Sequence, residues 1–129
     1  MQKTILLIED NQDIRENTAE LLELEGYLVI TANNGTEGIR LAELELPDLV
    51  ICDVLMQETD GYAVFSALLE STTTGHIPFV FMTAKSENAD RAKALSIGYC
   101  DYLIKPFDEN ELFASVKKML SDGGVENTR

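Results

Sequence analysis

Four short stretches of this chain are apolar at nearly every position: Thr4–Ile8 (TILLI), Leu49–Cys52 (LVIC), Phe79–Met82 (FVFM) and Tyr102–Ile104 (YLI). A strand with one face in water alternates apolar and polar side chains. A strand without alternation is covered on both faces, as inside a parallel sheet with helices packed above and below it. Leu28–Ala32 (LVITA) is a fifth, less apolar candidate and is expected nearer an edge. Few folds accommodate such a set of runs, and what lies between them narrows the choice further.

Helical patterns separate the runs. From Asn11 to Glu25, Ile14, Thr18, Leu21 and Leu22 share a face, and Gly26 follows as a stop. Asn34 with Glu37 is a start signal for a helix that ends before Pro47. Asp60 to Glu70 carries Tyr62, Val64, Phe65, Leu68 and Leu69; Ser86 to Ile97 is alanine-rich and stops at Gly98. Asp108 with Glu111 opens a last helix whose core face is Leu112, Val116, Met119 and Leu120. Strict alternation of strand and helix predicts an α/β domain with a parallel sheet and right-handed crossovers. The 129 residues suffice for one such domain, expected over residues 1–121. Residues 122–129 are polar, contain glycine and have no period, so a tail or the start of a linker is expected there.

The polar residues that end the strands carry the chemistry. Glu9 and Asp10 follow the first strand, Asp53 the third, Thr83 and the small Ala84 the fourth, and Lys105 the fifth, with Pro106 directly after it. In an open parallel sheet the strand tips point one way, and ligands bind beyond their carboxyl ends where the strand order reverses. Three carboxylates, a hydroxyl and one ammonium are therefore expected at one edge. Three adjacent carboxylates repel one another, so a proton or a cation must join them, and one lysine does not neutralise three. All-oxygen ligands select a hard metal, and Mg²⁺ beside a phosphate suits a site with few protein ligands. Glu9-Asp10-Asn11-Gln12-Asp13 lacks the glycine and terminal glutamate of a calcium loop.

Composition removes other classes. Twenty-three acidic residues against ten basic give a net charge of −13, a surface that repels nucleic acid and anionic membrane. Cys52 and Cys100 sit in or beside apolar segments and form no C-x-x-C, so two buried thiols are expected, not a disulfide or a zinc site. The single histidine, His76, precedes a loop-to-strand junction and is expected to be structural or solvent-facing. No apolar run is long enough to span a bilayer and no signal-peptide pattern opens the chain, so a cytoplasmic protein is expected.

With these residues in place, the chain resembles the receiver domain of bacterial two-component response regulators from about Lys3 to Leu120. The likeness rests on "LLIEDN", "DVLMQETDG", "MTA" and "GYCDYLIKPF" in that order. It implies a flavodoxin-like five-stranded parallel sheet of order 2-1-3-4-5 with five helices on both faces. It also implies roles. Asp53 is the expected phosphoacceptor, receiving a phosphoryl group from a sensor histidine kinase or a histidine phosphotransfer protein. Asp10, Asp53 and the backbone carbonyl of Leu55 would hold Mg²⁺, with Glu9 reaching it through water. Thr83 would contact the phosphoryl group, Lys105 would pair with it, and the Lys105-Pro106 bond would be cis. Thr83 would then move toward the phosphoryl group and Tyr102 rotate inward, changing the face made by the fourth and fifth predicted helices and the fifth strand. The downstream target or output domain is not identified by these motifs, and no direct contact with nucleic acid or membrane is expected.

The sequence departs from the family's pattern in places. Gln57 stands where a proline is usual, and Tyr99 where an alanine is common. Leu55 and Lys85, two residues beyond Asp53 and Thr83, overhang the site; Leu55, unable to orient water, is expected to slow hydrolysis of the acyl phosphate. Three rival readings are weaker. A nucleotide or flavin binder needs a glycine-rich phosphate cradle where Glu9 and Asp10 stand. A phosphohydrolase using Asp53 as nucleophile needs a cap or a second general base. A phosphorylation-independent interaction module on the same fold has no use for the intact set Glu9, Asp10, Asp53, Thr83 and Lys105.

Overall fold

The computed structural model describes residues 2–84 and 100–125. Five strands, β1 (Thr4–Ile8), β2 (Leu28–Ala32), β3 (Leu49–Asp53), β4 (Phe79–Thr83) and β5 (Cys100–Ile104), form one parallel sheet of order β2-β1-β3-β4-β5. The less apolar β2 lies at an edge, as expected. Four helices are present among the described residues: α1 (Gln12–Leu24), α2 (Gly35–Glu45), α3 (Gly61–Glu70) and α4 (Glu109–Val125). Five were expected; the alanine-rich Ser86–Ile97 segment lies outside the described residues, as do Lys85 and Tyr99. The last helix continues to Val125, into the stretch read from sequence as a polar tail.

Each helix starts where a side chain can satisfy its first orphan amides. The Asn11 side-chain oxygen accepts from Ile14 N at 2.9 Å, that of Asn34 from Glu37 N at 2.8 Å, and that of Asp60 from Ala63 N at 2.9 Å. Asp108 and Glu111 form a reciprocal box, each side chain accepting from the other's backbone N–H at 2.8 and 3.0 Å. After α1 the chain turns through Gly26 at φ +99°, a left-handed backbone that glycine adopts without a Cβ clash.

Strand alternation divides the core in two. Leu6, Ile8, Val50, Cys52, Phe79, Phe81, Cys100 and Tyr102 point to one face and pack with Ala42 of α2 and Val64, Phe65 and Leu68 of α3. Ile5, Leu7, Leu49, Ile51, Val80, Met82 and Leu103 point to the other and pack with Leu22 of α1 and Leu112, Val116 and Met119 of α4. Large side chains in both layers are wholly buried, each worth about 1.5–3 kcal/mol of transfer free energy. Two rigid layers thus clamp the sheet and fix where its strands end. Cys52 and Cys100 are both buried thiols, and His76 is exposed at the opposite end of the sheet from the strand tips.

Candidate functional site

The two-layer parity continues past the strand ends. Glu9 follows Ile5 and Leu7 in alternation, Asp53 follows Leu49 and Ile51, and Lys105 follows Leu103, so all three project toward the α1 and α4 side. They meet there. The Lys105 ammonium lies 3.1 Å from Asp53 Oδ1 and 3.2 Å from Glu9 Oε1. Asp10, in the turn between β1 and α1, completes an acidic group in which carboxylate oxygens of Glu9, Asp10 and Asp53 all lie within 4.8 Å of one another. Thr83, buried at the tip of β4, continues the Phe79 and Phe81 alternation on the other face. The structure therefore brings the strand-end residues Glu9, Asp53 and Lys105 into direct contact.

Backbone geometry holds the group in place. Glu9 Oε2 accepts from Asn11 N at 3.1 Å, and Asp10 Oδ2 accepts from Gln57 N at 3.2 Å. Lys105 N donates to the Thr83 carbonyl at 2.7 Å, and the Lys105-Pro106 bond is cis as expected. Beyond Asp53, Val54 N donates to the Met82 carbonyl and Gly61 N to the Val54 carbonyl, both at 2.8 Å. A Cβ on Gly61 would sit 2.6 Å from the Asp53 carbonyl oxygen, so the start of α3 can lie against the Asp53 turn only with glycine there. Leu55, two residues beyond Asp53, is 70% exposed.

Sequence reasoning missed two supports. Arg15 Nη1 donates to the Glu9 carbonyl at 2.9 Å and pins the turn carrying Glu9 and Asp10; its one signal was being the only basic residue in α1. Gln57, noted only as a departure, supplies the amide that fixes Asp10. That bond uses the backbone, so no side-chain pattern announces it.

Burial raises the pKa of Asp53; Lys105 opposes the shift and the neighbouring Asp10 charge adds to it. Burial likewise raises that of Glu9, against the Asn11 amide and with help from Asp53. For Lys105 burial pulls downward, but Asp53 and Glu9 outweigh it and the ammonium is held above its ordinary value. The pocket thus confines more negative charge than its own lysine relieves. Its donors are all carboxylate oxygens at mutual distances one ion can bridge, which fits a hard divalent cation such as Mg²⁺.

The sign of the pH dependence follows. A carboxyl whose folded pKa is raised binds its proton more tightly in the folded state. Stability is therefore lost as pH rises from the ordinary carboxylate range through the raised value. With divalent cations chelated, Asp53→Asn should melt above the wild type at pH 7 by roughly 2–6 °C. The difference should shrink as the pH falls into the ordinary carboxylate range. A lower melting temperature for the variant at pH 7 would contradict this electrostatic account.

Comparison with known proteins gives a consistent picture. Residues 5–117 match the family profile of the response regulator receiver domain. The transcriptional regulatory protein PcoR of Escherichia coli is 43% identical over 117 residues, which is 90% of this chain and 50% of that protein. This chain spans about half the length of the curated relatives it first matches. An uncharacterised 14.6 kDa protein of Leptolyngbya boryana is 38% identical over 91% of this chain and 89% of its own length. Among solved structures, the signal receiver domain of a signal transduction histidine kinase from Syntrophus aciditrophicus is 36% identical. It superimposes with a TM-score of 0.84, covering 98% of this chain and 95% of that one.

Proposed function

Since this chain belongs to the response regulator receiver domain family, we propose that it is a phosphorylation-dependent signalling switch of a two-component system, with Asp53 as phosphoacceptor. The observation that carries the reading is the contact of a buried carboxylate at a strand tip with one ammonium, inside a cluster of two further acids. An aspartate carboxylate can carry a phosphoryl group as an acyl phosphate. An Asp53 oxygen forms the new bond to phosphorus while the phosphorus–nitrogen bond of a partner's phosphohistidine breaks and the imidazole leaves with the electron pair.

Phosphoryl transfer asks the protein mainly for positioning and charge stabilisation. Lys105, held by Asp53 and Glu9, would pair with the phosphoryl oxygens, and the Thr83 hydroxyl at the neighbouring tip would contact them. Mg²⁺ bound by Asp10, Asp53 and the Leu55 carbonyl would neutralise the carboxylates and the entering phosphoryl oxygens. Both Glu9 oxygens are already engaged by Lys105 and Asn11 N, which supports a water-mediated role for this residue. The chain promotes only its own phosphorylation and dephosphorylation. The hollow beside Lys105, lined by Ile14, Ala84, Pro106 and Phe107, is the expected docking place of the histidine donor. Tyr102 is the expected relay to the face of the fourth predicted helix, β5 and α4, where a target or an output domain would read the change. Its ring already lies inward, stacked on Phe81, so phosphorylation would hold it there and not bring it in. No helix among the described residues is long and apolar enough to cross a membrane.

Intact mass after incubation with acetyl phosphate tests the reading. One phosphoryl group should add to the wild type with Mg²⁺, none without it, and none to Asp53→Asn. No addition under any condition would refute the phosphoacceptor role and favour a constitutive interaction module.

Leu55 sets a second expectation. Its exposed apolar side chain gives attacking water no hydrogen-bond partner. Leu55→Asn should shorten the phosphoryl lifetime several-fold, followed by the decay of the phosphorylated mass; an unchanged lifetime would rule out control by this residue.

A further inference from the structure

The acidic pocket occupies one side of the strand tips. The other side, under α3, holds a set of aromatic contacts that the phosphoacceptor chemistry does not use. Tyr102 on β5 and Phe81 on β4 are register partners, and their rings stack with centroids 4.9 Å apart at 26°. Tyr62, the second residue of α3, packs on Phe81 at 4.8 Å and approaches Tyr102 at 6.5 Å. The Tyr102 hydroxyl donates to that of Tyr62 at 3.0 Å, and Tyr102 is only 8% exposed. A buried phenol needs a partner for its hydroxyl, and that partner helps decide where the ring lies.

The anchorage of Tyr62 gives the pair its interest. Tyr62 directly follows Gly61, whose N–H donates to the Val54 carbonyl and whose missing side chain lets the backbone lie against the Asp53 carbonyl. Tyr62 is thus fixed to the turn that carries Asp53. A continuous path of short contacts runs from the Asp53 backbone through Gly61 to Tyr62, across the paired hydroxyls, and into the ring of Tyr102.

We propose that Tyr62 is the positioning residue for Tyr102. Its hydroxyl holds the Tyr102 ring inward against Phe81 and ties that ring to the Asp53 turn, by a route separate from the one through Thr83. The inference rests on the switch reading above in one respect only, that the placement of Tyr102 matters for signalling. A hydrogen bond of ordinary net worth biases a two-position ring roughly fivefold, so its loss should be visible in the ring's population without unfolding the protein.

The test uses the full chain with ring-labelled tyrosine, its four tyrosine signals assigned by single Tyr→Phe replacements. Without any phosphoryl donor, the Tyr102 signal of the wild type should show the ring-current displacement of a stacked ring. Tyr62→Phe keeps the ring of residue 62 and removes only its hydroxyl. In it the Tyr102 signal should move toward that of an unstacked tyrosine, as the inward-to-outward ratio falls roughly fivefold. The Tyr27 signal, far from the pair, and the rate of phosphoryl uptake should stay unchanged, which a general loosening of the fold would not allow. An unmoved Tyr102 signal overturns the proposal. A signal that moves together with that of Tyr27 overturns it as well.

With acetyl phosphate and Mg²⁺ added, the Tyr102 signal should respond more in Tyr62→Phe than in the wild type, where the ring is already held inward. Equal responses would overturn the separate route. If mass spectrometry shows that no phosphoryl group is taken up, the switch reading fails, while the donor-free comparison still decides whether Tyr62 positions Tyr102.

Discussion

Three carboxylates are held close together at the end of a rigid sheet, and one ammonium stands among them. Glu9, Asp10 and Asp53 cannot move apart. Glu9 is pinned by Asn11 N and Asp10 by Gln57 N, and Asp53 ends a strand buried along its length. Burial and mutual repulsion raise the pKa values of Asp53 and Glu9, while the same crowding holds Lys105 charged. A site with unrelieved negative charge at fixed positions has a built-in demand for a cation. In the proposed switch, that cation would let Asp53 take up a phosphoryl group that its neighbours would otherwise repel.

The sheet makes this confinement possible. Parallel strands end together, and period-two alternation sends Glu9, Asp53 and Lys105 to the same side. The opposite side receives Thr83, and with it Phe81 and Tyr102, which pack with α3. The acidic cluster and the aromatic contacts thus occupy two faces of the same strand tips. The two faces meet through the strands themselves and through the close approach of Gly61 to the Asp53 backbone.

Much of this was legible in the sequence because burial on both faces leaves an unmistakable trace. β1 and β2 appeared at their observed bounds, and the charged residues that follow or end β1, β3 and β5 are neighbours in space. The misses have physical reasons. β3 and β4 extend one residue further than their apolar runs, because Asp53 and Thr83 still pair in the ladder although their side chains are polar. β5 begins at Cys100, before the polar Asp101, whose carboxylate accepts from Ser115 Oγ at 2.9 Å and so can sit in a strand. Arg15 reaches a backbone carbonyl and Gln57 donates its own amide, contacts that a pattern of side chains barely marks. The pairing of Tyr62 with Tyr102 joins residues 40 positions apart and needed the fold to be seen.

The central claim is that the crowded carboxylates form a cation site, and a calorimetric titration with Mg²⁺ tests it most directly. Wild type should bind one ion, and Asp10→Asn, which removes one of the three carboxylates while leaving Lys105 its two partners, should bind it far more weakly. Equal binding by the two proteins, or no binding by the wild type, would contradict the account.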